Sequence, residues 1–308
     1  MLTDTHWRGT TPSGRSDNLP VALLAKLREV IEIAKAHEVT AILHGGDFFD
    51  RPDVAPAVAR DFLRGMMESP VPWYGILGNH DIYGYNPGTV NRTILGIFEE
   101  FRVVTLLKPG EPLTFLEGDG LKVQLTGQEF HAEIDRRPAH MDYVVGTWNG
   151  ENHHRRHPDA DFHIHLTHGM LLEEPFFDNI AHTLIDTVGP HTVADVTFGA
   201  HYHPGWSKVH DYGGQLWIHP GGLTRLKNHR SELERTVQVV LLTLEDDKPV
   251  RYEFIPLKSA PAADDIFDPS KRMEVDAREA AKAQFVESIG DTSRFEVLEV
   301  QGILSGIA

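Results

Sequence analysis

The chain of 308 residues is 41% hydrophobic, enough apolar material for one large α/β domain with a small appendage and too much for a disordered chain. It has no cysteine, which excludes disulfides and thiolate metal sites, so a bound metal must use oxygen and imidazole ligands, and 19 histidines are a rich supply of the latter. A formal charge of −16 argues against a nucleic-acid backbone as partner unless part of that acidity holds cations, and no apolar run reaches the length of a membrane span.

The first nine residues lack the apolar core of a signal peptide, so the expected location is cytoplasmic. Asp17, Asn18 and Pro20 are helix-start signals, and Leu23, Leu24, Leu27, Val30, Ile31 and Ala34 follow at helical spacing to about His37, an amphipathic covering helix. Residues 39–43 are a short apolar run that ends in Gly45-Gly46-Asp47, as a buried strand does when it delivers a loop. A helix over 54–68 carries Val54, Val58, Phe62 and Met66 in an apolar stripe that suits burial against a sheet, with a homodimer face as the alternative. The strand at 73–77 again runs straight into a polar loop, Gly78-Asn79-His80-Asp81.

A helix near 89–100 and a strand at 103–107 precede turn-rich β segments that include 121–126. Residues 161–167 alternate strictly, with Phe162, Ile164 and Leu166 on one face and His163 and His165 on the other, before His168-Gly169. A helical stretch at 181–188 leads to a strand at 196–198 that ends in Gly199-Ala200-His201-Tyr202-His203, and β runs follow at 216–219, 237–244 and 251–257. The sum is an α/β protein of mixed, layered sheets. Residues 261–269 are rich in Pro, Ala and Asp and read as a linker, with a helix at 273–289 and a short piece at 295–304 beyond it. The expected organisation is therefore a main domain over 1–258 and a linker with a short appendage over 259–308. The basic run from His153 to His157 reads as a solvated loop.

Five strand-to-loop junctions present metal-type ligands: Asp4-Thr5-His6, Asp47, Asn79-His80, His168 and His201-Tyr202-His203. In an α/β sheet the loops beyond the carboxyl ends of the strands converge on one crevice, so residues far apart in sequence can meet there. Taken singly each element has a plainer use: Gly-Asp is a common turn or cap, His168 could be a hydrogen-bonded core residue, and two surface histidines would also satisfy His201-x-His203. Gly78-Asn79-His80-Asp81 is the sharpest, because a turn needs Asn or Gly but not the His-Asp pair. Their order and their common place at strand ends point to a catalytic metal site.

In that order the motifs resemble the calcineurin-like metallophosphoesterases, whose signature reads Asp-x-His, Gly-Asp, Gly-Asn-His-Asp or Glu, His, and Gly-His-x-His. The resemblance covers roughly residues 2–257 and implies a layered sandwich of two mixed β-sheets flanked by helices. Within that superfamily, Gly46-Asp47-Phe48-Phe49-Asp50-Arg51 and His219-Pro220-Gly221-Gly222 are similar to the SbcD-type DNA repair nucleases. Carried over by motif, Asp4, His6 and His203 would bind one metal, Asn79, His168 and His201 a second, and Asp47 both. Two cations roughly 3.5 to 4 Å apart can clamp a bridging hydroxide and the phosphate oxygens for in-line displacement. By the same resemblance His80 sits over the phosphate, as transition-state stabiliser or proton donor, with Asp81 orienting its ring. The donor set suits Mn²⁺, Mg²⁺, Fe or Zn²⁺, and the nuclease branch implies Mn²⁺, DNA as substrate and an SbcC-like ATPase partner.

The family's first strand supplies several apolar residues before Asp-x-His, whereas only Met1, Leu2 and Thr3 precede Asp4, which gives a weakly anchored first ligand or an upstream start as the expectation. The short C-terminal appendage also departs from the larger capping and ATPase-binding region of SbcD-type proteins. Asp50 reads either as a partner that orients a ligand or as a salt bridge to Arg51 or a neighbouring loop, and His44, His163, His165 and His219 as packing or hydrogen-bonded residues. Trp7, Tyr202 and Trp206 flank the motifs as walls of the site or stackers of a base. The rival functions are a phosphatase or phosphodiesterase for nucleotides or other small phosphate esters, which the acidity favours, and a non-catalytic scaffold, which the complete ligand set disfavours.

Overall fold

Asn18 opens the longest helix, its side chain accepting from the Val21 N–H, while Pro20 occupies the first turn, where a missing N–H has no intrahelical partner to lose. The computed structural model describes residues 1–12, 14–110, 114–118, 120–148, 154–177 and 179–267. The helix expected at 273–289 and the piece at 295–304 lie outside the described residues, as does His153 of the basic run. In chain order the first half runs α1 (Leu19–Ala36), β1 (Ile42–His44), α2 (Pro56–Met67), β2 (Trp73–Gly75), α3 (Ile94–Glu100), β3 (Val104–Leu106), β4 (Thr114–Gly118), β5 (Leu121–Gln128) and α4 (His140–Tyr143). The second half adds β6 (Phe162–His168), β7 (Leu171–Leu172), β8 (Thr183–Leu184), α5 (Ile185–Val188), β9 (Val196–Ala200), β10 (His210–Tyr212), β11 (Gln215–Ile218), α6 (Arg230–Glu234), β12 (Gln238–Thr243), β13 (Arg251–Pro256) and α7 (Ala263–Ile266).

Two sheets stack face to face. The first is parallel in the order β1-β2-β3, with Ile42 opposite Trp73 and Trp73 opposite Val104. Residues 1–2 extend it: Leu2 pairs with β1 in parallel, and Met1 exchanges hydrogen bonds with Val240 in both directions, which brings in the antiparallel hairpin β12-β13. The second sheet has six strands in the order β10-β11-β9-β6-β5-β4, parallel through its four central strands with antiparallel edges. Leu43, Ile76 and Leu107 from the first sheet and its strand ends pack on Leu125, Ile164, Leu166, Val196, Phe198 and Ile218 from the second. The expected layered sandwich of two sheets is observed, with the six-stranded sheet mixed and the three-stranded one parallel.

Helices close the outer face of the first sheet. Leu23, Leu27, Val30, Ile31 and Ala34 of α1 are buried, each larger side chain contributing roughly 1.5–3 kcal/mol. Gly65 lets α2 approach α1, since a Cβ there would stand 2.3 Å from Leu27 Cδ2. The α2 stripe is absorbed by this core: Val54, Phe62 and Met66 are buried, Val58 is half-buried, and Phe62 stacks on Trp7 and meets Phe49 edge-on.

Several elements differ from the sequence reading, each for a local reason. The helix expected at 89–100 divides into a 3-10 turn (Pro87–Arg92) and α3, because Thr93 is extended and its hydroxyl accepts from the Gly96 N–H, a cap that begins a new helix. The stretch at 181–188 is two strand residues and one helical turn. All seven residues of β6 are buried, as befits a central parallel strand covered on both sides, which agrees with the reading of His163 and His165 as packing or hydrogen-bonded residues. The described part of the 261–269 segment folds onto the domain: Ala263, Ile266 and Phe267 are buried, and Ser16 N–H donates to the Ile266 carbonyl at 2.8 Å. Among the described residues no helix is long and apolar enough to cross a membrane.

Candidate metal centre

The carboxyl ends of the parallel strands supply every candidate ligand. Residues 4–6 follow the Leu2 pairing, Asp47 follows β1, Asn79 and His80 follow β2, His168 closes β6, and His201 and His203 follow β9. Four of the seven candidate ligands are non-glycine residues in the left-handed region: Asp4 (φ 52°), His6 (44°), Asp47 (53°) and His201 (74°). Such a conformation costs on the order of 1–2 kcal/mol per residue and persists only where the surroundings over-determine it. Those surroundings are cross-loop hydrogen bonds, Asp4 N–H to Gly46 O at 3.1 Å and His6 N–H to Asp47 O at 3.0 Å. Glycine makes the convergence feasible: a Cβ on Gly46 would lie 2.5 Å from His168 Nδ1, and one on Gly78 would lie 2.1 Å from Asp47 Oδ1.

Three groups result, two made wholly of candidate ligands and a third that joins His6 to Asp50 and His80. In each of the groups Asp4, His6, His203 and Asp47, His168, His201, the ligand atoms all lie within 4.8 Å of one another. In the first, Asp4 Oδ1 stands 3.8 Å from His6 Nε2 and 3.5 Å from His203 Nε2, and the two Nε2 atoms are 2.9 Å apart. In the second, His168 Nε2 is 3.4 Å from Asp47 Oδ2 and 3.3 Å from Asn79 Oδ1. Asp47 Oδ2 is also 3.5 Å from His6 Nε2, so one carboxylate oxygen faces both clusters. The other, Oδ1, accepts the His80 N–H at 2.8 Å, which fixes the carboxylate's rotation.

The donor inventory fits divalent cations. His168 Nδ1 donates to the Gly45 carbonyl at 2.8 Å and His203 Nδ1 to Glu232 Oε1 at 3.2 Å, so each ring turns its Nε2 toward a carboxylate, the arrangement a liganding histidine adopts. Asp4 Oδ1 is buried and has no hydrogen-bond donor. An inward-facing set of acceptors with an orphaned carboxylate oxygen is the complement of a cation.

Electrostatics divide the clusters, leaving the His6 and His201 rings neutral while carboxylates favour the charged form of His168 and His203. Burial drives the His6 imidazole well below its ordinary value and that of His201 down to about 3, so both rings are neutral. Burial raises Asp4 above the usual carboxylate range, against the pull of His203 and His168. Burial would raise Asp47 too, but the neighbouring His168 imidazole holds it well below 3.8, and although burial opposes a charged His168, the same contact brings His168 up to about 9.

Around the clusters the structure corrects one assignment and fills others. Asp81, expected to orient the His80 ring, does not face it. Its buried carboxylate instead accepts from the backbone N–H groups of Phe48, Phe49 and Gly78, tying the Asp47 loop to the Asn79 loop, and burial raises it to about 7. The ring of His80 is held by the Asp50 backbone carbonyl, which accepts from Nδ1 at 2.8 Å. Asp50's carboxylate pairs with Arg8 at 2.9 Å, while Arg51 faces Asp53. The sequence reading missed Glu232, which is buried in α6, holds His203 and pairs with Arg235 at 2.9 Å. No spacing signal announces it, because it reaches the site from a helix of its own.

The four other histidines that the sequence singled out, His44, His163, His165 and His219, are in ordinary roles. His44 stacks on Phe48 and its Nε2 lies 3.1 Å from the Thr5 hydroxyl, while His219 Nδ1 accepts from Gly221 N–H. His163 Nε2 and His165 Nδ1 both meet Thr126 Oγ1, at 2.7 and 2.8 Å. Trp7 is buried with its Nε1–H on the Val58 carbonyl, and Trp206 donates to the Leu171 carbonyl, so the first has no face for a base and the second is a wall against His219.

A family model described as calcineurin-like phosphoesterase matches residues 1–205. Similar solved structures include the sulfate thiohydrolase SoxB of Thermus thermophilus in complex with glycerol (14% identity, 76% of this chain and 42% of that one, TM-score 0.44). A calcineurin-like phosphoesterase, YfkN, of Bacillus subtilis (13%, 83% and 89%, 0.44) and a dimetal phosphatase of Danio rerio (10%, 72% and 86%, 0.42) are also similar. The chain spans less than half the length of the Thermus protein, and likenesses of this size say nothing of substrate. No curated protein matches the chain significantly.

Proposed function

The chain belongs to the calcineurin-like phosphoesterase family, and from that membership we propose that it is a two-metal phosphodiesterase acting on DNA in the manner of the SbcD-type nucleases. The observation that carries the reading is the single Asp47 oxygen facing both ligand clusters with His80 beside it. Asp4, His6 and His203 would hold one divalent cation, Asn79, His168 and His201 the other, and Asp47 both. Bound there, such a pair supplies Lewis-acid charge and an activated water for in-line attack at phosphorus.

The protein's own groups do the rest. The Asp50 carbonyl accepts from Nδ1–H of His80 and fixes the ring, and in the doubly protonated imidazolium the remaining Nε2–H would steady charge on the phosphate or pass its proton to the leaving oxygen. Burial of the His6 and His168 side chains excludes water from the ligands. The Phe48-Phe49-Asp50 stretch supports the SbcD reading by its likeness to that branch's Gly-Asp-Leu-Phe-Asp, and here it supplies the carbonyl that holds His80 and a ring, Phe49, packed edge-on against Phe62. Pro220-Gly221-Gly222 supports it by lying against the ligands, since a Cβ on Gly222 would stand 3.1 Å from Asp4 Cβ. Mn²⁺ as the metal, an SbcC-like ATPase partner, a homodimer and a cytoplasmic location belong to the same proposal.

The net charge of −16 favours the second reading, hydrolysis of nucleotides or other small phosphate esters. A Mn²⁺-dependent assay on single- and double-stranded DNA beside a bis-aryl phosphodiester and a monoester decides between them. Cleavage of DNA is the expected result, and intact DNA beside turnover of the small esters defeats the nuclease reading.

A further inference from the structure

An aromatic track leads out of the metal centre along the loop that carries His80. The Phe130 ring lies 5.4 Å from His201 and 6.1 Å from His168, centroid to centroid, and 5.4 Å from Tyr85. Phe130 is half-buried and anchored by its N–H on the Leu77 carbonyl at 2.9 Å, so it is a fixed wall. Tyr85 is the opposite case, 55% exposed although it touches that wall.

The backbone spends strain to put it there. Asn86 N–H closes a turn on the Tyr83 carbonyl at 3.1 Å, and the two central residues, Gly84 and Tyr85, both have φ of 58°. A left-handed glycine is unremarked, but a left-handed tyrosine is an outlier, and outliers of this kind cluster at ligand-binding positions. On the same turn the Arg92 guanidinium sits 5.7 Å over the Tyr83 ring, which adds positive charge to the rim of an acidic protein. An exposed aromatic face two ring contacts from the candidate ligands, on a turn whose Tyr83 ring carries the Arg92 cation, matches how single-stranded nucleic acid is held: a base stacks on the ring while the backbone finds charge.

We propose that Tyr85, backed by Phe130, is the shelf on which a nucleobase next to the scissile phosphate stacks, so that the site takes an unpaired nucleotide of a DNA strand. The inference rests on the nuclease reading and deepens it. A base still inside a duplex cannot lie on the ring, so single strands and frayed ends are the preferred substrates. Tyr85 touches the base and leaves the reacting atoms to the metal ligands and His80.

The test uses the full-length protein with Mn²⁺ and single-stranded oligonucleotides in which one abasic residue is stepped through the first three positions from either end. Tyr85→Ala should raise KM for the intact strand about ten-fold or more, with kcat changed less, and Tyr85→Phe should restore it. At one abasic position the wild-type KM should already be raised, and Tyr85→Ala should add nothing. Binding of a strand carrying 2-aminopurine at that position should quench its fluorescence in His80→Ala protein and not in the His80→Ala, Tyr85→Ala double variant. Equal KM values for wild type and Tyr85→Ala on a strand the wild type cuts would overturn the shelf and leave the nuclease reading standing. A wild-type protein that cuts small esters and no DNA would overturn both.

Discussion

Strand β6 carries buried histidines in its interior and at its end, and the two sets behave differently. His163 and His165, in the interior, have regular extended backbone and ring nitrogens on a neutral hydroxyl, Thr126 Oγ1. His168, at the end, has Nδ1 pinned by a carbonyl and Nε2 turned to the Asp47 carboxylate, among loops whose backbone is left-handed at four residues. Burial forces the imidazole neutral in the first case, to about 3 for His163, whereas at His168 burial is outweighed by the carboxylate and the ring is raised to about 9. Among the described residues every group able to hold a metal lies at the strand ends. Richness in histidine is therefore no guide to a metal site. Convergence of acceptors on a shared carboxylate is.

The widest test of that contrast is the shared carboxylate itself. Asp47→Asn should weaken both cations and lower turnover on the order of 10³-fold, read by kcat/KM and by metal stoichiometry. His80→Ala should lower kcat by about 10²-fold with both metals still bound. Two metals retained by Asp47→Asn, or lost from His80→Ala, would exchange the roles assigned to these residues. Glu232→Gln addresses one cluster alone. With the His203 ring less firmly held, affinity for one Mn²⁺ should fall by about ten-fold or more while the other is unchanged, measured by calorimetric titration. Equal weakening of both sites would mean that Glu232 serves the fold and not the ligand.

The smallest effect lies in the strand interior. Because the folded-state value of His163 is depressed to about 3, the unfolded chain binds the extra proton between that pH and 6.5, and stability falls as pH falls through this window. His163→Gln removes that term. Its stability relative to wild type should improve on acidification by at most about 1.4 kcal/mol per pH unit, with activity at neutral pH unaffected. Denaturant midpoints at pH 7 and 4.5 measure it, and an unchanged difference would show that this imidazole is not held neutral.

Much of the centre was legible along the chain because its ligands sit in local punctuation. A short apolar run followed by Gly-Gly-Asp or Gly-Asn-His marks where a strand stops and a loop begins, and parallel strands send such loops to one edge. What misled were residues whose partners are distant. Asp81 follows His80 directly, yet its carboxylate is claimed by backbone N–H groups 32 and 33 residues away. Trp7 flanks a ligand but is drawn into the α2 core, and the exposed aromatic near the centre is Tyr85, on a turn whose two left-handed residues no spacing rule marked.

The sequence by itself pointed to the candidate ligand set, its order and the layered α/β architecture, since each depends on residue type and on periods of two to four positions. Only the tertiary structure decided which nitrogen of each ring faces inward, that one oxygen of Asp47 serves both clusters, and that Glu232 and the Asp50 carbonyl hold the rings in place. Those decisions join groups from 29 to 197 positions apart, as in His203 with Glu232 and His6 with His203, and contacts of that span leave no periodicity behind.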